Sequence, residues 1–258
     1  MKLTPPPGYQ SVVIFDKQIH QGLAVRPDLP FGAGLNAIYV TGTEFALAGR
    51  DYPLIFLREP ASTDFVPMAI TGLAAGQNLY VDDQGRWVEE SYVPAYVRRY
   101  PFCVAQGQLP EGETKSVICV DETALEKSNT PLFDERNQPT SVWQAIDKFI
   151  TDMEAARQQT QRLTRALEDL DLLESFEAQA MLNDGGQFHL TSMFRVSEAR
   201  LNELPYDVLQ ELMRQGQMGQ IYIHIASLNN FRRLVDRAAK SGRVDDQGQS
   251  TLTGTDAG

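Results

Sequence analysis

Apolar residues in the first half of the chain come in short runs broken by turn residues. In the second half they recur at three- and four-residue spacing. The runs read as strands: an edge strand over Val12–Phe15, then Asn36–Val40, Pro53–Leu57 and Val66–Thr71. Between the second and third, Glu44 to Gly49 reads as a turn of helix stopped by Gly49. Asn78–Val81 and Arg86–Val88 flank an Asp-Asp-Gln-Gly turn, a hairpin signal in which Gly85 takes positive φ. Pro94 and Pro101 bracket one or two turns of helix that put Tyr96 and Tyr100 on one face. Phe102–Ala105 and Lys115–Asp121 read as paired strands. Short turns join most of these runs, which favours antiparallel pairing.

A capping box over Ser141–Gln144 starts a helix. Ile146, Phe149, Ile150 and Met153 carry its apolar stripe, which resumes at Leu163, Leu167 and Leu170. The polar middle, EAARQQTQR, suggests projection or a break near Gln158, and the segment closes at Asp184-Gly-Gly. Phe188–Val196 reads as a strand. Ser197 and Pro205 each open a short helix, the second ending near Gly216. Gln220–Leu228 fits strand or helix, because Ile221, Ile223 and Ile225 alternate while Ile221, His224, Ile225 and Leu228 form a stripe. Asn229–Lys240 is a basic helix. The expected fold is α+β: an antiparallel, bent sheet from the N-terminal half packed with helices from the C-terminal half. An arm over 1–22 precedes a single domain over 23–240, sheet-rich to 139 and helix-rich from 140. The tail, 241–258, has little to bury and is expected to be disordered.

Composition narrows function. The 258 residues carry a net charge of −11, with a pI near 4.8, so a general nucleic-acid binder is disfavoured. The N-terminus lacks the apolar core of a secretory signal, and no run is long enough to span a bilayer. The expected location is the cytoplasm. Cys103 and Cys119 lie in apolar runs and read as buried thiols on neighbouring strands, their pairing left open. His20 is expected at the surface. No metal site or cofactor is expected: the three histidines show no ligand spacing, and nucleotide-binding glycine motifs are missing.

The unusual chemistry falls between Asp51 and Phe102, where Tyr52, Tyr80, Tyr92, Tyr96, Tyr100 and Trp87 accompany Arg86, Arg98 and Arg99. Arginine offers a planar donor fork and stacks on rings, so this group suits a carboxylate or phosphate. An internal network with Asp51, or one built on Arg50 and Asp51, fits the same residues. His224 and Ser227 share a helical face and admit a nucleophilic pair, though no orienting acid stands at a recognisable spacing.

Several long words, AGRDYPLIF, GQNLYVDDQGRW, YVPAYVRRYPF, RVSEARLNELP and IYIHIASLNNFRRL, occur in that order. With them the chain resembles the SapC family of bacterial proteins from about Leu23 to Leu234. The family name implies an association with surface layers, and the resemblance brings no catalytic residues. It points to Arg50, Asp51, Tyr52, Trp87, Pro94, Arg98, Arg99, Tyr100, Pro101, His224 and Ser227. The expected activity is non-catalytic binding of an anionic small molecule, or of a peptide or protein segment, by the Arg/Tyr/Trp cluster. A surface-layer or scaffold component, or an enzyme using His224 and Ser227, are the alternatives, and a homo-oligomer is compatible with each.

Overall fold

A computed structural model describes residues 4–27, 30–59, 62, 64–108, 114–181, 187–241 and 250–251. The strands are β1 (Val12–Ile14), β2 (Leu23–Val25), β3 (Ala37–Tyr39), β4 (Leu54–Arg58), β5 (Phe65–Ile70), β6 (Phe102–Gln108), β7 (Thr114–Asp121), β8 (Leu125–Lys127), β9 (Leu173–Met181), β10 (Gln187–Val196) and β11 (Ser250–Thr251). The α-helices are α1 (Phe45–Asp51), α2 (Ala95–Arg98), α3 (Ser141–Asp169), α4 (Glu198–Asn202), α5 (Tyr206–Arg214), α6 (Gln217–Ser227) and α7 (Asn230–Ser241). Helices and antiparallel sheets together make this an α+β fold.

The sheet divides where the sequence suggested one. β1-β7-β6 form a three-stranded sheet, β2 pairs β8, and the largest sheet runs β11-β10-β4-β5-β3 with β9 on the other edge of β10. Every pairing is antiparallel except β10 with β11. The C-terminal half therefore supplies strands as well as helices. β9 was hidden inside the segment that reads as helical as far as Asp184. Its period-two signal is nonetheless present: Phe176 and Ala178 are half-buried while Glu177 and Gln179 are exposed. β10 kinks at Ser192, whose φ is 64°, and the β9 register shifts there. Apart from Ser241 and β11, the tail expected to be disordered lies outside the described residues.

α3 does not break. Thr140, one residue before the expected start, caps it by accepting the Trp143 N–H. No glycine or proline interrupts its 29 residues, and helical propagation needs no apolar middle. α6 settles the open segment as helix, burying Gln217, Ile221, His224 and Ser227 on one side.

All of β5, and β4 apart from Arg58, is buried, so both faces are covered. α3 packs on β5, while α6 packs on α1, β4 and β10. A second small core under the start of α3 gathers Phe102, Val120, Leu132, Phe133 and Ile150. His20 sits beside it rather than at the surface, 5% exposed and stacked on Phe15 at 5.1 Å. Its Nδ1 lies 2.8 Å from the Asp16 carbonyl.

Gly49 does not stop α1, which continues to Asp51. Its function is close approach. A Cβ there would lie 2.9 Å from Ile223 Cγ2 and 3.4 Å from Ser227 Cβ, across the α1–α6 crossing. Gly49→Ala should therefore cost about 1–2 kcal/mol despite alanine's better helix propensity. A denaturation midpoint equal to or above that of the parent protein would contradict this packing.

Candidate functional site

The Arg/aromatic cluster is assembled where α1 ends. Pro53 follows Tyr52, so the helix stops and its last carbonyls need partners. They come from the far end of the sequence. Asn230 Nδ2 donates to the Gly49 and Tyr52 carbonyls at 2.8 and 3.1 Å. Arg233 Nη1 donates to the Arg50 carbonyl at 2.8 Å. Ser227 Oγ accepts the Leu54 N–H at 3.0 Å. Two of the distinctive sequence words, AGRDYPLIF and IYIHIASLNNFRRL, are thus one interlocked unit.

The rings follow from that anchor. Tyr80 donates to the Asp51 carbonyl at 2.8 Å and meets the Tyr52 ring edge-on at 4.5 Å. Tyr52 donates to the Tyr92 carbonyl, and the Trp87 indole N–H donates to Tyr52 at 3.1 Å. Burial pushes the Tyr52 phenol well above its ordinary range and that of Tyr80 up to about 12, Arg237 opposing the rise at Tyr80. The Asp51 carboxylate accepts the Tyr92 N–H at 2.9 Å and lies 3.6 Å from the exposed Arg50.

α2 carries the second half of the cluster. Tyr96 is fully buried and donates to the Pro7 carbonyl at 2.8 Å, which docks the N-terminal arm. Arg99 is 8% exposed with its guanidinium 4.5 Å from the Tyr96 ring centroid. Tyr100 stacks on Phe31 at 4.1 Å and reaches Asp121 at 3.4 Å. Arg98 stays exposed, bound on its flank to the Val93 carbonyl and the Tyr92 hydroxyl, both at 3.1 Å. Of the expected site residues, then, Asp51, Tyr52, Tyr96, Arg99, His224 and Ser227 are buried. Trp87 and Tyr100 are half-buried, and Arg50 and Arg98 reach solvent.

Glu44 escaped the sequence reading. Its Oε1 accepts the Ala95 N–H at 2.6 Å and the Tyr92 hydroxyl at 2.9 Å. Its Oε2 accepts the Thr41 N–H and hydroxyl at 2.8 and 2.9 Å. The signal was present as Thr41-x-x-Glu44, a capping-box spacing.

His224 and Ser227 do not form a nucleophile–base pair in this arrangement. Ser227 Oγ donates to the His224 carbonyl at 2.6 Å, and His224 Nε2 accepts the Val196 N–H at 3.1 Å. The ring is fully buried against Phe56 at 4.8 Å. Burial pushes its pKa down to about 3, against the Leu54 main chain. Cys103 and Cys119 are free, buried and directly opposite across β6 and β7. The Asp82 turn is closed internally, its carboxylate accepting from Gln84 N and Arg86 N and pairing with Arg86 at 2.9 Å. Among the described residues no three His, Cys, Asp or Glu groups gather as a metal site.

Arg50 has two further arginines beside it at the surface, exposed Arg233 and half-buried Arg237. Arg233 and Arg237 of α7 join Arg50 around the Asp51–Tyr52 main chain, with the Arg237 guanidinium 4.3 Å from the Tyr80 ring. Their four-residue spacing places both on one helical face, a cue legible in the sequence.

The fold and this junction define an α+β protein whose strand-rich half is fastened by a C-terminal helical pair. The SapC family model matches residues 15–234, and the chain belongs to the SapC family. No curated protein and no solved structure matches it. Among the described residues no helix is long and apolar enough to cross a membrane.

Proposed function

We propose that this chain is a non-catalytic binding or accessory protein that engages an anionic partner through the arginine face formed by the end of α1 and α7. One observation carries the reading. Arg50, Arg233 and Arg237 gather at one place, and among the described residues only Asp51 forms an ion pair with any of them. In a chain of net charge −11 such a group makes a local positive field that draws and orients acidic ligands. Arg50 and Arg233 are exposed rather than enclosed, which favours an extended acidic peptide or protein segment over a small anion. Planar guanidinium forks suit its carboxylates.

The test uses a hexaglutamate peptide followed by fluorescence anisotropy at low salt, with hexalysine as the control. Arg50→Glu combined with Arg237→Gln should weaken hexaglutamate binding by about tenfold or more while the unfolding midpoint moves little. Equal capture by the variant, or equal capture of hexalysine, rejects the reading.

A further inference from the structure

The polar middle of α3 neither projects nor breaks; it roofs a cavity of about 170 Å³. The cavity lies between α3 and strands β3, β5 and β6. Thr160 and Thr164 are 2% and 3% exposed, where a helix against a core ordinarily places apolar side chains. Met153, Leu163 and Leu167 do so at neighbouring positions on the same helix. The threonines are satisfied within the protein. Thr160 Oγ1 donates to the Ala156 carbonyl at 2.6 Å and accepts the Gly42 N–H at 2.8 Å, and Thr164 Oγ1 donates to the Gln161 carbonyl at 3.2 Å. A core is normally packed to crystal-like density, and larger apolar side chains here would close the gap. The sequence instead keeps a polar roof over the cavity.

The opposite wall is apolar, made by Phe65, Val66 and Pro67 of β5 and Val104 of β6. The remaining lining sets the charge. Arg157 binds Glu154 through Nε and Nη2 at 2.9 and 2.7 Å, so those two formal charges offset each other. Glu59, whose Oε2 accepts the Ser62 hydroxyl, and Asp64 add two further carboxylates to the lining. Three carboxylates and one guanidinium line the cavity, so the formal charge of its lining is negative, opposite in sign to the arginine face.

We propose that this cavity binds a small organic cation, an amine carried on a short apolar chain. The apolar wall takes the chain, the carboxylates take the ammonium, and the hydroxyl oxygens of Tyr39 and Thr164 keep lone pairs that can accept from it. The volume lies below that of drug-sized pockets, which limits the ligand to a few heavy atoms. The site is separate from the arginine face and does not depend on it.

The experiment is a calorimetric titration of the full chain with n-butylammonium, 1,4-butanediammonium, n-butanol and butyrate at neutral pH. At least one ammonium should bind about tenfold or more tightly than the alcohol and butyrate. Glu59→Gln with Asp64→Asn should reduce that affinity about tenfold, and Thr164→Leu should abolish it by filling the space, both with the unfolding transition retained. Arg50→Glu with Arg237→Gln should leave it unchanged. The proposal is overturned if neither ammonium binds by about 10 mM, if butyrate or butanol binds equally, or if the carboxylate variant keeps full affinity.

Discussion

Replacing Glu44 by alanine is expected to cost about 3–5 kcal/mol of folding stability, the largest effect of any single polar substitution considered. The carboxylate is 5% exposed and accepts four hydrogen bonds, two from main-chain N–H groups and two from hydroxyls. Those donors belong to three separate places: the turn that starts α1, the Tyr92 loop and the first residue of α2. Truncation leaves the Thr41 and Ala95 N–H groups buried without an acceptor, and each unsatisfied group carries a desolvation penalty of about 1–3 kcal/mol. Glu44→Gln keeps one acceptor oxygen and turns an amide N–H₂ toward donors, so it should fall between the parent and alanine. Urea denaturation of the three proteins gives the ranking. A loss below about 1 kcal/mol for alanine would mean that water replaces these bonds and that Glu44 does not organise the junction.

Acidification supplies the second large effect, through His224. Its folded pKa is depressed to about 3 by burial, whereas an unfolded histidine titrates near 6.5. Between those values the unfolded chain binds a proton that the folded chain refuses. Stability from this group is therefore fully present above about pH 6.5 and is lost as pH falls toward 3. The expected slope is about 1.4 kcal/mol per pH unit within that window, so the protein should lose roughly 2 kcal/mol between pH 6.5 and 5. His224→Gln retains an acceptor for the Val196 N–H and removes the titration. The difference between parent and variant, measured by denaturation from pH 7.5 to 5, isolates the effect. Parallel pH profiles would show that the ring is protonated in the folded state or reached by water.

His224 and its helix neighbour Ser227 mark how far the sequence could be read. The Ser227–His224 spacing was legible as a shared helical face, but the chemistry of that face depended on what it met. It met the first peptide N–H of β4 and the last of β10, and main-chain groups inside a protein must be paired. Likewise, the Tyr/Arg concentration between Asp51 and Phe102 was visible from composition. Which guanidinium groups reached solvent was not, because Arg98 and Arg99 are adjacent in sequence and point to different environments. Arg233 and Arg237 lie more than 130 positions away from that segment, a separation at which local pattern carries no information.

By itself the sequence determined the local elements with strong short-range signals. These are the β6–β7 pairing that puts Cys103 and Cys119 on neighbouring strands, the start of α3 to within one residue of Ser141, the Asp82–Gly85 turn and the α+β class. Turn chemistry and periodicity act over a few residues, so they can be read without the fold. Tertiary structure decided the rest: that β9 is a strand, that α3 stays whole over a cavity, that α6 is a helix and that the large sheet recruits β10. It also decided that the carbonyls ending α1 are bound by Asn230 and Arg233. Each was a choice between local alternatives of similar free energy, and burial against distant partners tipped it.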